Sequence, residues 1–415
     1  MADLQRENDN LRRILEVTRY MSVTNDLDVL LGTIVESACE VLNCERATIF
    51  LYDPKTDELY SRVARGADEI RFPASKGIAG AAAQERCCVN VPDAYADPRF
   101  NPEIDRKTGY RTLNLLAFPL ENLQGELIGV LQALNKHDGV FDQDDEELAR
   151  ILSAQAGVTL DRGRLIEEYA EKQRLERDLD IAREIQQGLL PKENPEIEGY
   201  EIAGWNRSAD ATGGDTYDFV PLPDGRLALL LADATGHGVG AALVIAQCRS
   251  LVRAMLTVTQ NLPTISTRVN QLLAQDLGDE RFVTAFLGIL DPQKHTLEYI
   301  AAGQGPLIAI DDEHVENRTA NALPFAVMPE MDYDSTESFR FRPGTTLALL
   351  TDGFYEAANA EGDQYGEGRV TQFIRERAHY PLPKLIDKLH ESISHFVDDV
   401  VHKDDLTAVL IRRVH

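Results

Sequence analysis

The chain of 415 residues has few cysteines, no long apolar run and a deficit of basic side chains. Its five cysteines follow no metal-ligand spacing, and an odd number argues against a complete disulfide framework. No apolar run approaches the ~20 residues that span a bilayer, and no signal-peptide core is visible near residue 1. These absences predict a cytoplasmic protein without a membrane partner.

Acidic residues outnumber basic ones by 69 to 42, which gives a net charge of −27. Such a charge disfavours binding to nucleic acid or to anionic lipid. The length allows two or three domains, each with its own hydrophobic core. Part of the acidic excess belongs to a set of aspartates at strand ends.

The first two of these aspartates lie in residues 213–240, which read GGDTYDFVPLPDGRLALLLADATGHGVG. Two apolar runs flank the turn sequence Pro223-Asp224-Gly225, so this segment is predicted to form a β-hairpin. A hairpin brings Asp215 and Asp233 to one end of a sheet. Oxygen ligands gathered there suit a hard cation, and the glycines after Asp233 would let the carbonyl of Ala234 become a further ligand.

Two further aspartates lie at strand ends downstream. Asp352 follows the apolar run 347–350, and Asp404 comes shortly before the run 408–411. A carboxylate at the edge of a buried strand is costly unless a cation or hydrogen bonds compensate it. One such motif is ordinary turn sequence, but four in order predict a shared binuclear metal site.

The sequence leaves some alternatives open. The tripeptide GGD also occurs in nucleotide-cyclising GGDEF enzymes, although Thr-Tyr-Asp-Phe follows it here and a cyclase would leave the other motifs unexplained. Asp218 is placed to orient a metal-bound water, to complete a ligand set, or to form hydrogen bonds within its strand. His237 either shapes the loop or protonates a leaving group. The role of Asp405 is not assigned.

The motifs GGDTYDF, DATGHGVGAAL, TDGFYEAANAEGDQYG and KDDLTAVLIRR resemble the metal-dependent serine/threonine phosphatases of the PPM family. The similarity is to the bacterial SpoIIE-like branch, which acts on anti-anti-sigma factors, and it covers roughly 189–415. It implies two Mn²⁺ or Mg²⁺ ions: Asp233 bridges both, Asp215 serves the first, and Asp352 and Asp404 serve the second. Catalysis would then proceed through a metal-activated water.

Two positions depart from the family pattern. The usual Asn-Ala-Gly-His is Ala301-Ala302-Gly303-Gln304 here, and Thr235 stands where serine is commoner. Neither change removes an implied metal ligand. The fold class is expected to be α/β (α+β), with residues 199–415 forming an α/β sandwich of two β-sheets flanked by helices.

Residues 26–162 alternate helices and strands in an order that predicts an antiparallel sheet with helices packed on it. This segment resembles a GAF sensor domain, and a helix is predicted before it in residues 1–25.

The end of this segment contains Asn135, Lys136, Phe141, Asp145 and Glu146, the NK…F…DE pattern of GAF domains that bind cyclic nucleotides. The resemblance makes these five residues candidates for binding a cyclic nucleotide or another small effector. Alternatively, Lys136 pairs with Asp145, fixes the edge of the domain, and no ligand is bound.

Residues 163–198 are predicted to be a helical, coiled-coil linker. From 146 to 190 there is no proline, charges are dense, and apolar residues recur at three- and four-residue steps. One long helix or two would satisfy the pattern. The narrow apolar stripe predicts a parallel homodimer; the alternative is an amphipathic helix lying on its own domain.

Together these features predict a signal-regulated protein serine/threonine phosphatase whose activity is controlled through the GAF domain. Its partner would be a phosphoprotein, of the anti-anti-sigma type by resemblance. The alternative is a catalytically silent sensor scaffold that binds a partner through a phosphatase-like fold. The presence of all four strand-end aspartates favours the enzyme.

Overall fold

The computed structural model describes residues 26–61, 70–278, 280–311, 314–398 and 404–414. The chain divides into two compact units, residues 1–174 and 175–415, and each is described by itself. The helix predicted in residues 1–25 lies outside the described residues.

The first unit is built on a six-stranded sheet with the strand order β3-β2-β1-β6-β5-β4. All neighbouring strands are antiparallel, as predicted. Its strands are β1 Cys44–Asp53, β2 Glu58–Tyr60, β3 Arg71–Pro73, β4 Val89–Val91, β5 Leu115–Glu121 and β6 Leu127–Lys136. Its shorter helices are α1 Leu27–Val41, α2 Gly77–Glu85 and α3 Glu103–Thr108.

Helices cover both faces of this sheet, and local sequence explains where they begin. The Asp26 side chain accepts hydrogen bonds from the first backbone N–H groups of α1 and so caps it. Residues of α1 and of the long helix that follows β6 (α4, Gln143–Leu189) pack against one face, whereas α2 packs against the other. The strands β3 and β4 escaped prediction because each has only three residues.

Helix α4, Gln143–Leu189, is one continuous helix of 47 residues. Asp142 accepts hydrogen bonds from the N–H groups of Asp144 and Asp145 at its start. The buried positions of α4 end at Gly163, and most of the helix beyond that is exposed. The sequence allowed one helix or two, and the structure has one.

The second unit contains two five-stranded sheets, ordered β14-β11-β10-β9-β8 and β13-β12-β15-β16-β7. The strands of the first are β8 Asp215–Pro221, β9 Leu227–Ala234, β10 Val283–Asp291, β11 Thr296–Ala302 and β14 Glu337–Arg340. Those of the second are β7 Tyr200–Arg207, β12 Leu307–Ile310, β13 Val315–Arg318, β15 Thr346–Leu350 and β16 Leu406–Arg413. The helices are α5 Val239–Leu256, α6 Leu262–Leu277, α7 Gly353–Glu356, α8 Gly366–Glu376 and α9 Leu382–Val397.

These elements form four layers. A hydrophobic core lies between the two sheets, with side chains such as Leu231 and Phe286 from one and Leu349 from the other. Helices α5 and α6 cover the first sheet, and α8 and α9 cover the second. The predicted α/β sandwich is therefore confirmed.

Helix α5 is the one helix among the described residues that is long and apolar enough to resemble a membrane span. Its apolar side chains pack against β9 and β10 in the core beneath it. Packing in this core accounts for its composition.

Two glycines of α4 provide a test of the packing. A Cβ at Gly157 would lie 2.1 Å from the carbonyl oxygen of Glu121 on β5, whereas a Cβ at Gly188 would meet no atom within 4 Å. Gly157→Ala is expected to lower the free energy of unfolding by about 1–3 kcal/mol, since overpacking moves backbone. As the control, Gly188→Ala should raise it by roughly 0.5–1 kcal/mol. Thermal unfolding of both variants checks this. A Gly157→Ala variant as stable as the wild type would contradict the close packing of α4 against β5.

Candidate metal centre

The hairpin places the first two predicted site residues opposite each other. Strands β8 and β9 pair antiparallel, and Asp215 is the register partner of Asp233. The Asp215 side chain is buried, and the charge of Asp233 acts on it. The predicted hairpin is thus confirmed, and it brings the two carboxyl groups together.

The other two predicted residues come from the second sheet. Asp352 follows β15 and Asp404 precedes β16, and these two strands are neighbours. The charge of each acts on Asp233, and Asp404 also acts on Asp352. The structure therefore gathers the four predicted carboxylates from both sheets of the sandwich.

The carboxylate cluster consists of Asp215, Asp233, Asp352 and Asp404, and burial together with repulsion raises the pKa values of the first three. Burial, followed by the charge of Asp352, raises the pKa of Asp233 to about 7. Burial and the charge of Asp233 raise the pKa of Asp215 well above its usual range. Burial and the charge of Asp404 raise the pKa of Asp352. Without a cation, the cluster binds protons because it cannot hold several negative charges at once.

Asp405 shapes the loop in front of β8. Its carboxylate accepts hydrogen bonds from the N–H of Ala209 at 2.7 Å and of Gly214 at 2.5 Å. A Cβ at Gly213 would lie 2.4 Å from the same carboxylate, so only glycine fits there. Asp405, whose role the sequence left open, therefore positions the residues that precede Asp215.

Thr351 joins the two sheets beneath the carboxylate cluster. Its hydroxyl donates to Asp215 Oδ2 at 2.8 Å and accepts from the N–H of Thr407 at 2.9 Å. Sequence reasoning missed this residue, although the threonine directly before Asp352 in the TDG motif was the available signal.

Asp218 points away from the carboxylate cluster. It lies three residues after Asp215 on the same strand, so the two side chains project from opposite faces of the sheet. Its carboxylate contacts Arg249 and Arg253 of α5. Of the alternatives left open for Asp218, these contacts support a structural role.

His237 and Gln304 lie beside the site. His237 is exposed, and its Nδ1 is 3.0 Å from Asp210 Oδ2, a contact that shapes the loop. Gln304, which stands where the family has histidine, is buried and donates to the carbonyl of Leu350 at 2.9 Å. It thereby holds the end of β15, two residues before Asp352.

The end of α4 contacts the same loop that Asp405 holds. Gln186 donates to the carbonyl of Gly213 at 2.6 Å and accepts from the Gly213 N–H at 3.0 Å. Arg183 donates to the carbonyls of Asp210 and Ala211. Three side chains, two from the linker helix and one from the start of β16, therefore determine where the loop before Asp215 lies.

The donor set suits hard divalent cations with partly hydrated shells. Among the described residues, no three His, Cys, Asp or Glu side chains lie close enough together to hold a metal ion by themselves. Mg²⁺ keeps several waters and needs one or two carboxylates, so a closed set is not required. Ala234 donates its N–H to Gly214, and a Cβ at Gly214 would lie 2.8 Å from the Ala234 carbonyl oxygen. That carbonyl therefore lies immediately beside the residue preceding Asp215.

In the first unit, the five residues of the NK…F…DE pattern contact one another and their neighbours. Lys136 forms an ion pair with Asp145, and the Lys136 ammonium lies 5.9 Å from the centre of the Phe141 ring. Asn90 donates to the Phe141 carbonyl and to Glu146 Oε1. These contacts join β6, β4 and the start of α4.

Asn135 completes this network. It donates to Glu45 and Tyr110, and it accepts from the N–H of Leu113. These contacts agree with the alternative that Lys136 pairs with Asp145 and fixes the edge of the domain. A direct role of the five residues in ligand binding stays a hypothesis.

The comparison with known families covers both units. The family described as stage II sporulation protein E (SpoIIE) matches residues 223–414, and the GAF domain family matches residues 26–160. The chain joins a GAF domain to a SpoIIE-type domain. The SpoIIE match includes Asp233, Asp352 and Asp404, whereas Asp215 lies just before it.

A solved structure shares the fold of the SpoIIE-type domain. The PP2C domain of SiaA from Pseudomonas aeruginosa is 23% identical, with a TM-score of 0.52, over 59% of this chain and 98% of that one. This likeness shows that the SpoIIE-type domain has the PP2C phosphatase fold.

The curated relatives are cyclic nucleotide phosphodiesterases. A probable 3',5'-cyclic phosphodiesterase of Caenorhabditis elegans is 34% identical over 189 residues, which are 41% of this chain and 25% of the relative. A cGMP-specific phosphodiesterase of Drosophila mojavensis is 34% identical over 201 residues, 43% of this chain and 18% of the relative. The chain thus spans a quarter or less of the length of these two relatives.

The raised pKa of Asp233 predicts a pH effect on the metal-free protein. At pH 5 the folded state keeps a proton on Asp233 that the unfolded chain has lost, so the contribution of Asp233 to stability falls as pH rises from about 4 to about 7. Asp233→Asn removes this titration. In EDTA at pH 8 it should stabilise the protein by about 2 kcal/mol, with a smaller gain at pH 5. Thermal unfolding at both pH values measures the difference, and a destabilised variant at pH 8 would contradict the repulsion.

Proposed function

We propose that this protein is a metal-dependent protein serine/threonine phosphatase. One observation carries the proposal: Asp215, Asp233, Asp352 and Asp404 lie at strand ends of the two sheets of a PP2C fold, where the charges of Asp352 and Asp404 act on Asp233 and that of Asp233 acts on Asp215. A cluster of this kind needs a cation. Two Mn²⁺ or Mg²⁺ ions would relieve the repulsion, with Asp233 between them.

The side chains of this chain would hold the ions, and the ions when bound would supply a hydroxide near neutral pH and offset phosphoryl charge. Asp215 would serve the first ion, Asp352 and Asp404 the second, with the carbonyl of Ala234 as a further ligand. Thr351 would keep Asp215 oriented through its hydroxyl. Cys248 is no candidate nucleophile, because it is buried and burial raises its pKa to about 12.

The substrate we propose is phosphoserine or phosphothreonine on an anti-anti-sigma-type protein. The match to the SpoIIE family supports this class. The net charge of −27 is also consistent with a protein partner rather than nucleic acid, and with a location in the cytoplasm. The competing function is a silent scaffold, which would bind the same partner without hydrolysis.

The GAF domain is proposed to sense the signal that sets this activity. The relatives that act on cyclic nucleotides make cyclic GMP and cyclic AMP the first effectors to titrate calorimetrically. A ligand would act by favouring one arrangement of α4 over another. The contacts of Gln186 and Arg183 offer α4 a direct route to the loop before Asp215.

The working unit we propose is a parallel homodimer formed through α4. Apolar side chains on the second half of α4 remain exposed: 59% of Leu175 and 37% of Leu179, together with Leu165 and Tyr169. Leu165 and Tyr169, like Leu175 and Leu179, are four residues apart, so each pair shares one face of the helix that a second copy would cover.

The enzyme proposal predicts Mn²⁺-dependent hydrolysis of para-nitrophenyl phosphate. Asp233→Ala should lower the rate by more than about 100-fold. Loss of a residue that only hydrogen-bonds to a metal ligand already lowers metal affinity or activity by about 10–100-fold. Asp352→Asn and Asp404→Asn should raise the Mn²⁺ concentration needed for half-maximal rate.

The matched control is Asp224→Ala. Asp224 pairs only with the neighbouring Arg226 in the hairpin turn and should leave the rate unchanged. A folded wild-type protein that binds Mn²⁺ but shows no turnover would favour the scaffold.

The dimer proposal predicts that Leu175→Asp combined with Leu179→Asp gives monomers, since acidic groups in the stripe repel across a parallel pair. The monomers should keep basal turnover of para-nitrophenyl phosphate and lose any response to the GAF signal. Arg177→Asp, on the opposite side of α4, is the control and should stay dimeric. Sedimentation velocity and the phosphatase assay decide this. A double variant that stays dimeric and regulated would rule out the stripe as the dimer interface and the route of regulation.

A further inference from the structure

The buried carboxylate of Asp218 is held by two arginines of α5. Only 1% of Asp218 is exposed, and its Oδ2 lies 3.0 Å from Arg249 Nε, an ion pair without hydrogen-bond geometry. Arg253 donates through Nε to Oδ2 at 2.5 Å and through Nη2 to Oδ1 at 2.9 Å. These three side chains, here called the α5 anchor, connect β8 to the helix that covers it.

The geometry of the α5 anchor restricts how α5 can move. Arg249 and Arg253 are four residues apart, so they lie on the same face of the helix one turn from each other. One carboxylate contacts both. A rotation of α5, or a shift along its axis, would break at least one of these contacts.

The other end of α5 touches the metal centre. The helix begins at Val239, directly after the loop that follows Asp233. A Cβ at Gly214 would lie 3.3 Å from the Ala241 Cβ, so the first turn of α5 packs against the residue before Asp215. Eight residues, about 12 Å of rigid helix, separate Ala241 from Arg249.

Stability alone does not explain the α5 anchor. The surroundings of Asp218 are otherwise apolar and include Val220, Val252 and Leu287. Well-packed apolar residues in place of a buried ion pair often leave a protein equally stable or more stable. The ion pairs instead fix the position of α5 on β8, since purely apolar surfaces could slide past each other.

We propose that Asp218 is a positioning residue for the metal centre. Its contacts with Arg249 and Arg253 set the placement of α5 on the sheet, and hence that of the loop that follows Asp233 and Ala234 at the end of β9. This inference rests on the proposed metal centre and adds to it a set of residues on the opposite face of β8.

The test replaces the α5 anchor with apolar residues of similar size. The full-length triple variant Asp218→Leu, Arg249→Met, Arg253→Met is compared with the wild type by thermal unfolding in EDTA and by calorimetric titration with Mn²⁺. We expect a melting temperature equal to or above that of the wild type and a Kd for Mn²⁺ raised by about 10-fold or more. A purely structural role would leave the Kd unchanged.

The control removes a partly buried ion pair elsewhere in the same domain. Glu201 pairs with Arg412 at 3.1 Å, at the end of β7 and β16 far from Leu406 and the carboxylate cluster. Glu201→Gln should lower the melting temperature and leave the Kd for Mn²⁺ within about 2-fold of the wild type. A Kd that rises equally in both variants would mean that any loss of packing weakens the site, and would overturn the proposal.

Single variants keep the test decisive if the triple variant does not fold. Arg253 is about half exposed, so Arg253→Met should fold and raise the Kd by about 3-fold or more, and Arg253→Lys should recover part of the loss because it keeps the charge. A folded triple variant, or Arg253→Met, with wild-type affinity for Mn²⁺ contradicts the positioning role. A wild-type protein that binds no Mn²⁺ contradicts the metal centre itself.

Discussion

The SpoIIE-type domain is organised around a repulsion that its own fold creates. Asp215 and Asp233 face each other across paired strands, and Asp352 and Asp404 approach from the second sheet. Burial raises the cost of every negative charge, so the pKa of Asp233 rises to about 7. The sandwich keeps these groups together, and we propose divalent cations as their counter-charges, because hard cations prefer carboxylate oxygens as ligands.

The residues around the carboxylate cluster determine where its parts lie rather than adding ligands. Asp405 and Gln186 hold the glycine loop before β8 from two directions. Thr351 connects the sheets under Asp215, and Asp218 secures α5 on the far face of the same strand. Because Gln186 lies on the helix that leaves the GAF domain, a change in that helix would bear directly on the loop.

Local chemistry explains how much could be predicted. The hairpin followed from the turn 223–225 between two apolar runs, and the helix α5 from its apolar periodicity. Strand β7 was missed because its sequence mixes polar and apolar residues without alternation. The role of Asp218 stayed open because its partners, Arg249 and Arg253, lie on α5. Only the tertiary fold places that helix against β8. Thr351 and Gln186 act through contacts that only the tertiary fold brings together.

The central claim is that the carboxylate cluster holds two divalent ions. Anomalous diffraction from crystals soaked in Mn²⁺ measures this most directly. The account predicts two peaks about 3.5–4 Å apart, with Asp233 in contact with both and Asp218 with neither. A map with no peak at the cluster, or with Mn²⁺ bound only elsewhere, would contradict it.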